Sequence, residues 1–378
     1  MPFLFIVIGG NMSLKAGIVG LPNVGKSTLF SALTKYQVEA SNYAFTTIEP
    51  NISSVPLNDK RLYQLAEIVN PEKIIPATFD FVDIAGLVKG ASKGEGLGNK
   101  FLANIRQVDA IIHVVRCFND KNIMHVNNEI NPVNDIQIIN LELILADLET
   151  INNVLNRINK KAKSGDKEAL NEFNFANRIK NTLENNIFIN KIINEFNEEE
   201  LKYLKSYQLL TAKAMIYVAN LSAEQITNYE NDKFYKELAA YINNQNKIIP
   251  ISVQVEFEIS QMDANDEEEF LKSYQIEHSG LDYLTREAFD LLKLKTYFTA
   301  GKKEIRAWVF KEGMLAPSCA GIIHSDFEKK FIKAEVISFE DYIKFDGENG
   351  AKNAGKLRIE GKNYIMQDGD ICHFRFGK

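Results

Sequence analysis

Gly20-Leu21-Pro22-Asn23-Val24-Gly25-Lys26-Ser27 has the spacing G-x-x-x-x-G-K-[ST], and no other feature of the chain restricts its fold so tightly. The motif directly follows the apolar β-type run Ala16–Val19 and opens a helical stretch, Ser27–Thr34. Strand, glycine-rich turn and helix in that order are the context a phosphate-binding loop requires. Its glycines let successive backbone N–H groups turn inward around phosphates. Lys26 places a cation at the β/γ oxygens, Ser27 offers a hydroxyl to Mg²⁺, and the helix N-terminus favours negative charge. Asn23, Val24, Gly25, Lys26, Ser27 and Thr28 are therefore the candidate nucleotide-binding residues, and Lys26 is also a candidate catalytic group.

The pattern around this loop is that of an α/β domain. Thr78–Val82 and Ala110–Val115 are further apolar runs, each followed by a turn or helical stretch. Similar runs return at Ala214–Ala219 and Lys247–Val253. Such alternation predicts a parallel sheet with helices on both faces. Between them the chain changes character. Leu141, Ile144, Leu148, Ile151, Leu155 and Ile158 repeat at heptad spacing, which predicts one long helix with an apolar seam. The Lys160–Lys167 stretch reads as a turn, and Phe173, Ala176, Ile179 and Leu183 mark a returning arm. An antiparallel helical hairpin inserted into the α/β domain is expected. Arg157, Lys160, Lys161, Lys163 and Lys167 make its tip basic, a pattern that suits either a solvated turn or a phosphate-contacting prong.

After about Thr296 short β-type runs take over, at Glu304–Phe310, Phe331–Ser338 and Asp370–Phe376, with glycines at the turns. The expected division is residues 12–134 and 208–295 for the nucleotide-binding domain, 135–207 for the helical insertion and 296–378 for a small β-rich module. Residues 1–11 are set apart. MPFLFIVIGG has no basic leader and is too short to span a bilayer. Translation is expected to begin at Met12, with residues 1–11 a non-native or mis-annotated extension.

Asp83 ends the run Thr78–Val82 within Asp83-Ile84-Ala85-Gly86. An acidic residue there is where a phosphate-loop fold holds Mg²⁺, and Gly86 would bring a backbone N–H to the γ-phosphate. Thr46 and Thr47 fall between the two motifs, where a switch loop offers a hydroxyl to the metal; Ser27, Thr47 and Asp83 are the candidate metal ligands. Leu87 stands where related GTPases commonly carry a water-orienting Gln. Leucine has no hydrogen-bonding group, so another residue must position water. His125, on a polar stretch after Ala110–Val115, can supply one, whereas His113 lies within an apolar run and reads as a packed core imidazole.

The run Met215–Asn220 ends where GTPases show Asn-Lys-x-Asp, but here the residues are Asn220-Leu221-Ser222-Ala223. The missing Asp is the group that accepts from guanine N1–H and the exocyclic amine. Guanine selection by that route is absent, and Glu224 comes one place late. Asn220, Leu221 and Ser252 complete the candidate nucleotide-binding set.

Composition narrows the partners. The chain has 378 residues, 45 % hydrophobic and 25 % charged, with a net charge of −6. That is an ordinary globular composition, and bulk charge does not favour nucleic acid; no DNA and no membrane partner is expected. Three scattered cysteines form no Cys-x-x-Cys pair, which points to a reducing, cytoplasmic setting.

Taken together, these strings resemble the YchF/Obg-like ATPase family. The resemblance rests on GIVGLPNVGKST at Gly17–Thr28, FTTIEPN at Phe45–Asn51 and FVDIAGLVKGASKGEGLGN at Phe81–Asn99. Lys295–Gly301 and Gly321–Ile337 extend it, so that it covers nearly the whole chain from Met12. It implies a Ras-like P-loop NTPase core, an inserted antiparallel coiled coil and a C-terminal ubiquitin-like β-grasp (TGS) domain. It further implies slow hydrolysis of ATP, association with the ribosome, and a role in hydrolysis for His125. Analogy with other NTPases that carry a hydrophobic residue in place of Gln adds K⁺ near Asn23. The sequence departs from the family at Ala223, where a Glu is usual. A GTPase of translation or ribosome assembly, and a nucleotide-gated scaffold with negligible hydrolysis, are the competing readings.

Overall fold

The computed structural model describes residues 14–40, 51–84, 97–120, 129–262, 266 and 279–377. The first half of the chain runs β1 (Lys15–Val19), α1 (Lys26–Ala40), β2 (Ile52–Pro56), α2 (Lys60–Val69), β3 (Ile74–Ile75) and β4 (Thr78–Asp83). It continues with α3 (Leu97–Arg106), β5 (Ala110–Arg116), α4 (Pro132–Lys163), α5 (Lys167–Glu184) and α6 (Glu198–Tyr207). Next come β6 (Ala214–Asn220), α7 (Ala223–Ile226), α8 (Lys233–Ile242), β7 (Lys247–Ile251), α9 (Val253–Ile259) and α10 (Gly280–Leu291).

Six of these strands form one sheet in the order β2-β4-β1-β5-β6-β7. The sequence pattern predicted parallel pairing, and β4, β1, β5, β6 and β7 follow it. The edge strand β2 does not: it lies antiparallel to β4 from Ile52↔Val82 to Pro56↔Thr78. Its short sequence, ISSVP, alternates half-buried and buried positions, as an edge strand covered on one face does. β5 is buried along its whole length, the signature of a strand covered on both faces. Among the described residues no helix is long and apolar enough to cross a membrane.

α4 has 32 residues, about 48 Å of helix, and begins with Asn131 as N-cap and Pro132 in the first turn. Its first half packs on the sheet through Ile136, Ile139 and Leu143. Farther along, Ile144, Ile151 and Ile158 are buried in the same apolar cluster as Ala176, Ile179 and Leu183 of α5. The heptad seam is only partly kept: Leu141 is 49 % exposed, while Glu142, Leu143 and Ile144 beside it are buried. Asp147 is fully buried and fixes the helix to the chain before β6, accepting from Leu210 N (2.9 Å), Thr211 N (2.8 Å) and Thr211 Oγ1 (2.7 Å). At the far end Gly165 turns with φ +89° and Asp166 caps α5 by accepting from Ala169 N at 2.9 Å.

The C-terminal chain forms β8 (Leu294–Ala300), β9 (Ile305–Lys311), α11 (Ala316–Ile323) and α12 (Ser325–Lys329). It ends with β10 (Phe331–Ile337), α13 (Phe339–Lys344), α14 (Glu348–Asn353), β11 (Arg358–Glu360) and β12 (Ile371–Phe376). Its sheet has the order β11-β10-β12-β8-β9-β3. The last strand comes from the other half of the chain: β3 pairs in parallel with β9 at Ile74↔Ile305 and Ile75↔Arg306.

Candidate nucleotide-binding site

The loop between β1 and α1 takes the conformation its glycines permit. Gly20 has φ +155° and Gly25 φ +101°, and Asn23 takes a left-handed φ of +60°. A side chain at Gly25 would collide with the Asn220 amide as well as strain the backbone. Asn220 explains why that space is needed. Its Nδ2 donates to Val24 O at 2.9 Å, and its Oδ1 accepts from Val253 N at 3.1 Å. One buried amide thus ties the phosphate loop to the start of α9.

Lys26 is buried, and its Nζ donates to Leu21 O at 2.6 Å. Burial lowers its pKa to about 8, opposed by the nearby Asp83 carboxylate. Asp83 moves the other way: burial raises its pKa and Lys26 pulls it down. A buried cation with, among the described residues, a single carbonyl partner, facing a half-buried carboxylate at a helix N-terminus, is prepared for an anion that brings its own hydrogen-bond acceptors. Ser27 is exposed on the first turn of α1. Its hydroxyl and the Asp83 carboxylate are the hard oxygen donors Mg²⁺ accepts, in the small number it takes when phosphates supply the rest. Thr28 is half-buried on the same helix.

Around the base-binding side the structure places Leu221 and Ser252 next to Asn220. Leu221 is buried and its N–H donates to Ile251 O at 2.8 Å, so that N–H is not free to read a base. Ser252 is buried, and its Oγ has no hydrogen-bond partner among the described residues. Such an orphan hydroxyl is what a site awaiting a polar ligand leaves behind. Ser222 caps α7, accepting from Gln225 N, while Gln225 Oε1 accepts from Ser222 N at 2.8 Å. That capping box turns Glu224 outward, where Ser222 Oγ donates to it at 2.7 Å and holds its pKa down. Glu224 therefore does not replace the carboxylate missing at Ala223.

His113 is fully buried at the centre of β5, 5.4 Å from the Tyr217 ring, with neither nitrogen partnered among the described residues. Burial, then the Lys26 charge, lowers its pKa to about 3. A neutral packed imidazole is the reading its apolar run predicted. Thr46, Thr47, Gly86, Leu87 and His125 lie outside the described residues.

Two residues that frame the site carried no motif. Gln225 Nε2 donates to Cys117 O at 3.1 Å and to Asp232 Oδ2 at 2.7 Å, joining the base-side loop to the end of β5. Arg116, fully buried at that strand's end, donates to Phe118 O and Asp120 O. In the sequence Arg116 shows only as a charged residue closing a largely apolar strand, and Gln225 leaves no trace.

Of the basic hairpin tip, Lys160, Lys161, Lys163 and Lys167 are exposed, and Arg157 pairs with Glu172 at 3.2 Å.

A family model described as "50S ribosome-binding GTPase" matches residues 15–221. The model YchF-GTPase_C, described as a protein of unknown function, matches residues 294–377. The chain is 50 % identical over 366 residues to "Ribosome-binding ATPase YchF" of Bacillus subtilis (strain 168), covering 97 % of this chain and 100 % of that protein. It is 53 % identical over 365 residues to the protein of the same name from Haemophilus influenzae, covering 97 % and 99 %. The solved "Structure of the Schizosaccharomyces pombe YchF GTPase" superposes with a TM-score of 0.88 at 36 % identity, covering 97 % of this chain and 98 % of that one. A phosphate loop, an unconventional base strand and relatives half identical from end to end converge on one conclusion: this chain belongs to the YchF family.

Proposed function

We propose that this protein binds ATP in preference to GTP, hydrolyses it slowly with Mg²⁺, and uses its nucleotide state to switch its attachment to the ribosome. The observation that carries the reading is the pairing of a complete phosphate loop with a base-side loop that has no carboxylate at position 223 and turns Glu224 away. Its bacterial relatives are named ribosome-binding ATPases.

Lys26 binds the β/γ-phosphate oxygens and neutralises charge that builds up as the terminal phosphate leaves. Ser27, Thr47 and Asp83 hold Mg²⁺, which supplies further neutralisation of the phosphates when bound. Gly86 lends a backbone N–H to the γ-phosphate, and His125 orients the attacking water in place of the Gln that Leu87 displaces. Asn23 is the residue placed to share K⁺. Asn220 and Ser252 line the base, with Leu221 packing beside it. Residues 12–134 and 208–295 make up the NTPase domain, except that α2 and β3 join the C-terminal sheet and its core; 135–207 is a coiled-coil insertion and 296–378 a TGS domain. The exposed lysines of the hairpin tip and Lys329, Lys330 and Lys333 are the ribosome-facing candidates in a cytoplasmic protein.

Two observations favour a second reading, a GTPase: the family model over residues 15–221 is described as a GTPase, and the solved fission-yeast relative is titled one. Parallel titrations of ATP and GTP with Mg²⁺ separate the two. ATP is expected to bind more tightly, and Ala223→Asp to shift preference toward GTP. Ten-fold tighter binding of GTP by the unmodified protein, about 1.4 kcal/mol, overturns the ATP reading.

A further inference from the structure

The connection between β2 and β4 does not stay with the sheet to which those two strands belong. It enters the C-terminal module and is built into it. Leu62 and Leu65 of α2 are fully buried in one apolar cluster with Phe298, Ile305, Ala307 and Ile371 of that module. β3 then adds an edge strand to the module's sheet, with Ile305 N donating to Lys73 O at 2.9 Å and Glu72 N to Lys302 O at 3.0 Å.

Arg61 fastens the entry to this excursion. Asp59 caps α2 and holds the Arg61 guanidinium at 2.8 Å. The same guanidinium reaches Asp368 Oδ2 at 3.1 Å and Thr296 Oγ1 at 2.9 Å, both in the C-terminal module. Thr296 N closes the ring on Asp368 Oδ1 at 3.0 Å. Only 29 % of the Arg61 side chain is exposed, and its two carboxylate partners keep it charged.

The other end of the excursion is the nucleotide site. β2 is laddered to β4 along its full length, and Asp83 N donates to Asn51 O at 2.9 Å. β4 is in turn paired with β1 from Asp80 to Asp83, so the excursion is an arm whose two ends are laddered into the first sheet beside Asp83 and whose middle, α2 and β3, lies in the C-terminal module. An arm anchored in one sheet at its ends and packed into the other module's apolar cluster through Leu62, Leu65 and Ala77 passes displacement between them, because close-packed contacts shift between arrangements rather than stretch.

We infer that the C-terminal module senses nucleotide state through this arm, with Arg61 as the joint that makes the coupling stiff. Binding is reciprocal in such a device: a partner docked on the module changes nucleotide affinity by the same factor as nucleotide changes its docking. The inference rests on the nucleotide-switch reading above and names how that site is regulated.

The test is amide hydrogen exchange on the full chain with Mg²⁺ and saturating non-hydrolysable ATP analogue or ADP, run beside titrations of both nucleotides. Exchange at the Ile305 amide, which crosses the β3–β9 seam, is expected to differ at least about five-fold between the two states. Arg61→Met is expected to reduce that difference below two-fold with nucleotide affinity unchanged. Asp368→Asn, which weakens one arm of the fork, is expected to give an intermediate loss and serves where Arg61→Met fails to fold. Equal exchange at Ile305 with both nucleotides demonstrably bound overturns the inference. A guanine preference in the titrations would sink the ATP reading alone, since the exchange comparison repeated with a GTP analogue and GDP still decides the coupling.

Discussion

The two sheets treat their buried polar groups in opposite ways. At the phosphate-loop end of the first, among the described residues, Lys26 has one carbonyl partner, Asp83 is half-buried opposite it, and Ser252 Oγ has no partner. In the C-terminal module the corresponding groups are matched among themselves. Asp370, with 2 % of its side chain exposed, accepts from Tyr364 Oη at 2.8 Å, Gln367 N at 3.0 Å and Arg358 Nη2 at 3.2 Å. Glu335 is likewise held by Arg375 at 2.9 Å and Lys333 at 3.3 Å. Polarity left unmatched marks where a ligand completes the structure; polarity already matched holds a scaffold together.

Three measurements break or sharpen that contrast. The largest effect belongs to Lys26→Ala, expected to lower Mg-nucleotide hydrolysis by about 100-fold or more while the thermal midpoint changes little. A variant that unfolds instead would put Lys26 among the scaffold groups and end the contrast. Asp370→Ala should behave in the opposite sense. It takes a shared acceptor from the half-buried Tyr364 hydroxyl, the Gln367 amide and Arg358, so the C-terminal module should lose about 1–2 kcal/mol, read as earlier unfolding of residues 294–377 in exchange experiments. Nucleotide affinity should stay within two-fold, and a larger change would show Asp370 acting on the site.

The smallest effect concerns pH. Free Lys26 has a pKa of about 8, lowered by burial. Bound phosphates favour its charged form, so above pH 8 binding must take up a proton. Affinity for Mg-ATP should be flat below that pH and fall by up to ten-fold per unit above it. A flat profile to pH 9.5 would mean that Lys26 keeps its proton without the ligand.

Much of the nucleotide site was legible in the chain because it depends on local geometry. Gly20, Gly25 and Asn23 occupy backbone angles that few other residues accept, and Lys26 and Ser27 follow at a spacing set by the first turn of a helix. The hairpin turn was legible for the same reason, through Gly165 and the cap at Asp166. The heptad seam was legible only in part. Periodicity identifies an apolar face without saying what covers it, and at Leu141 the seam turns outward while Leu143 and Ile144 are buried.

Sequence alone determined the phosphate loop, the missing carboxylate at position 223, the helical insertion and the change of character near residue 296, all of which are local in spacing and composition. Only the tertiary structure decided that Asn220 clamps the loop, that β2 runs antiparallel, and that α2 and β3 are packed into the C-terminal module. Those contacts join residues up to more than two hundred positions apart, such as Arg61 to Thr296 and Asp368. Neither partner's neighbours along the chain encode such a pairing; it exists only once two separately patterned surfaces have been buried against each other.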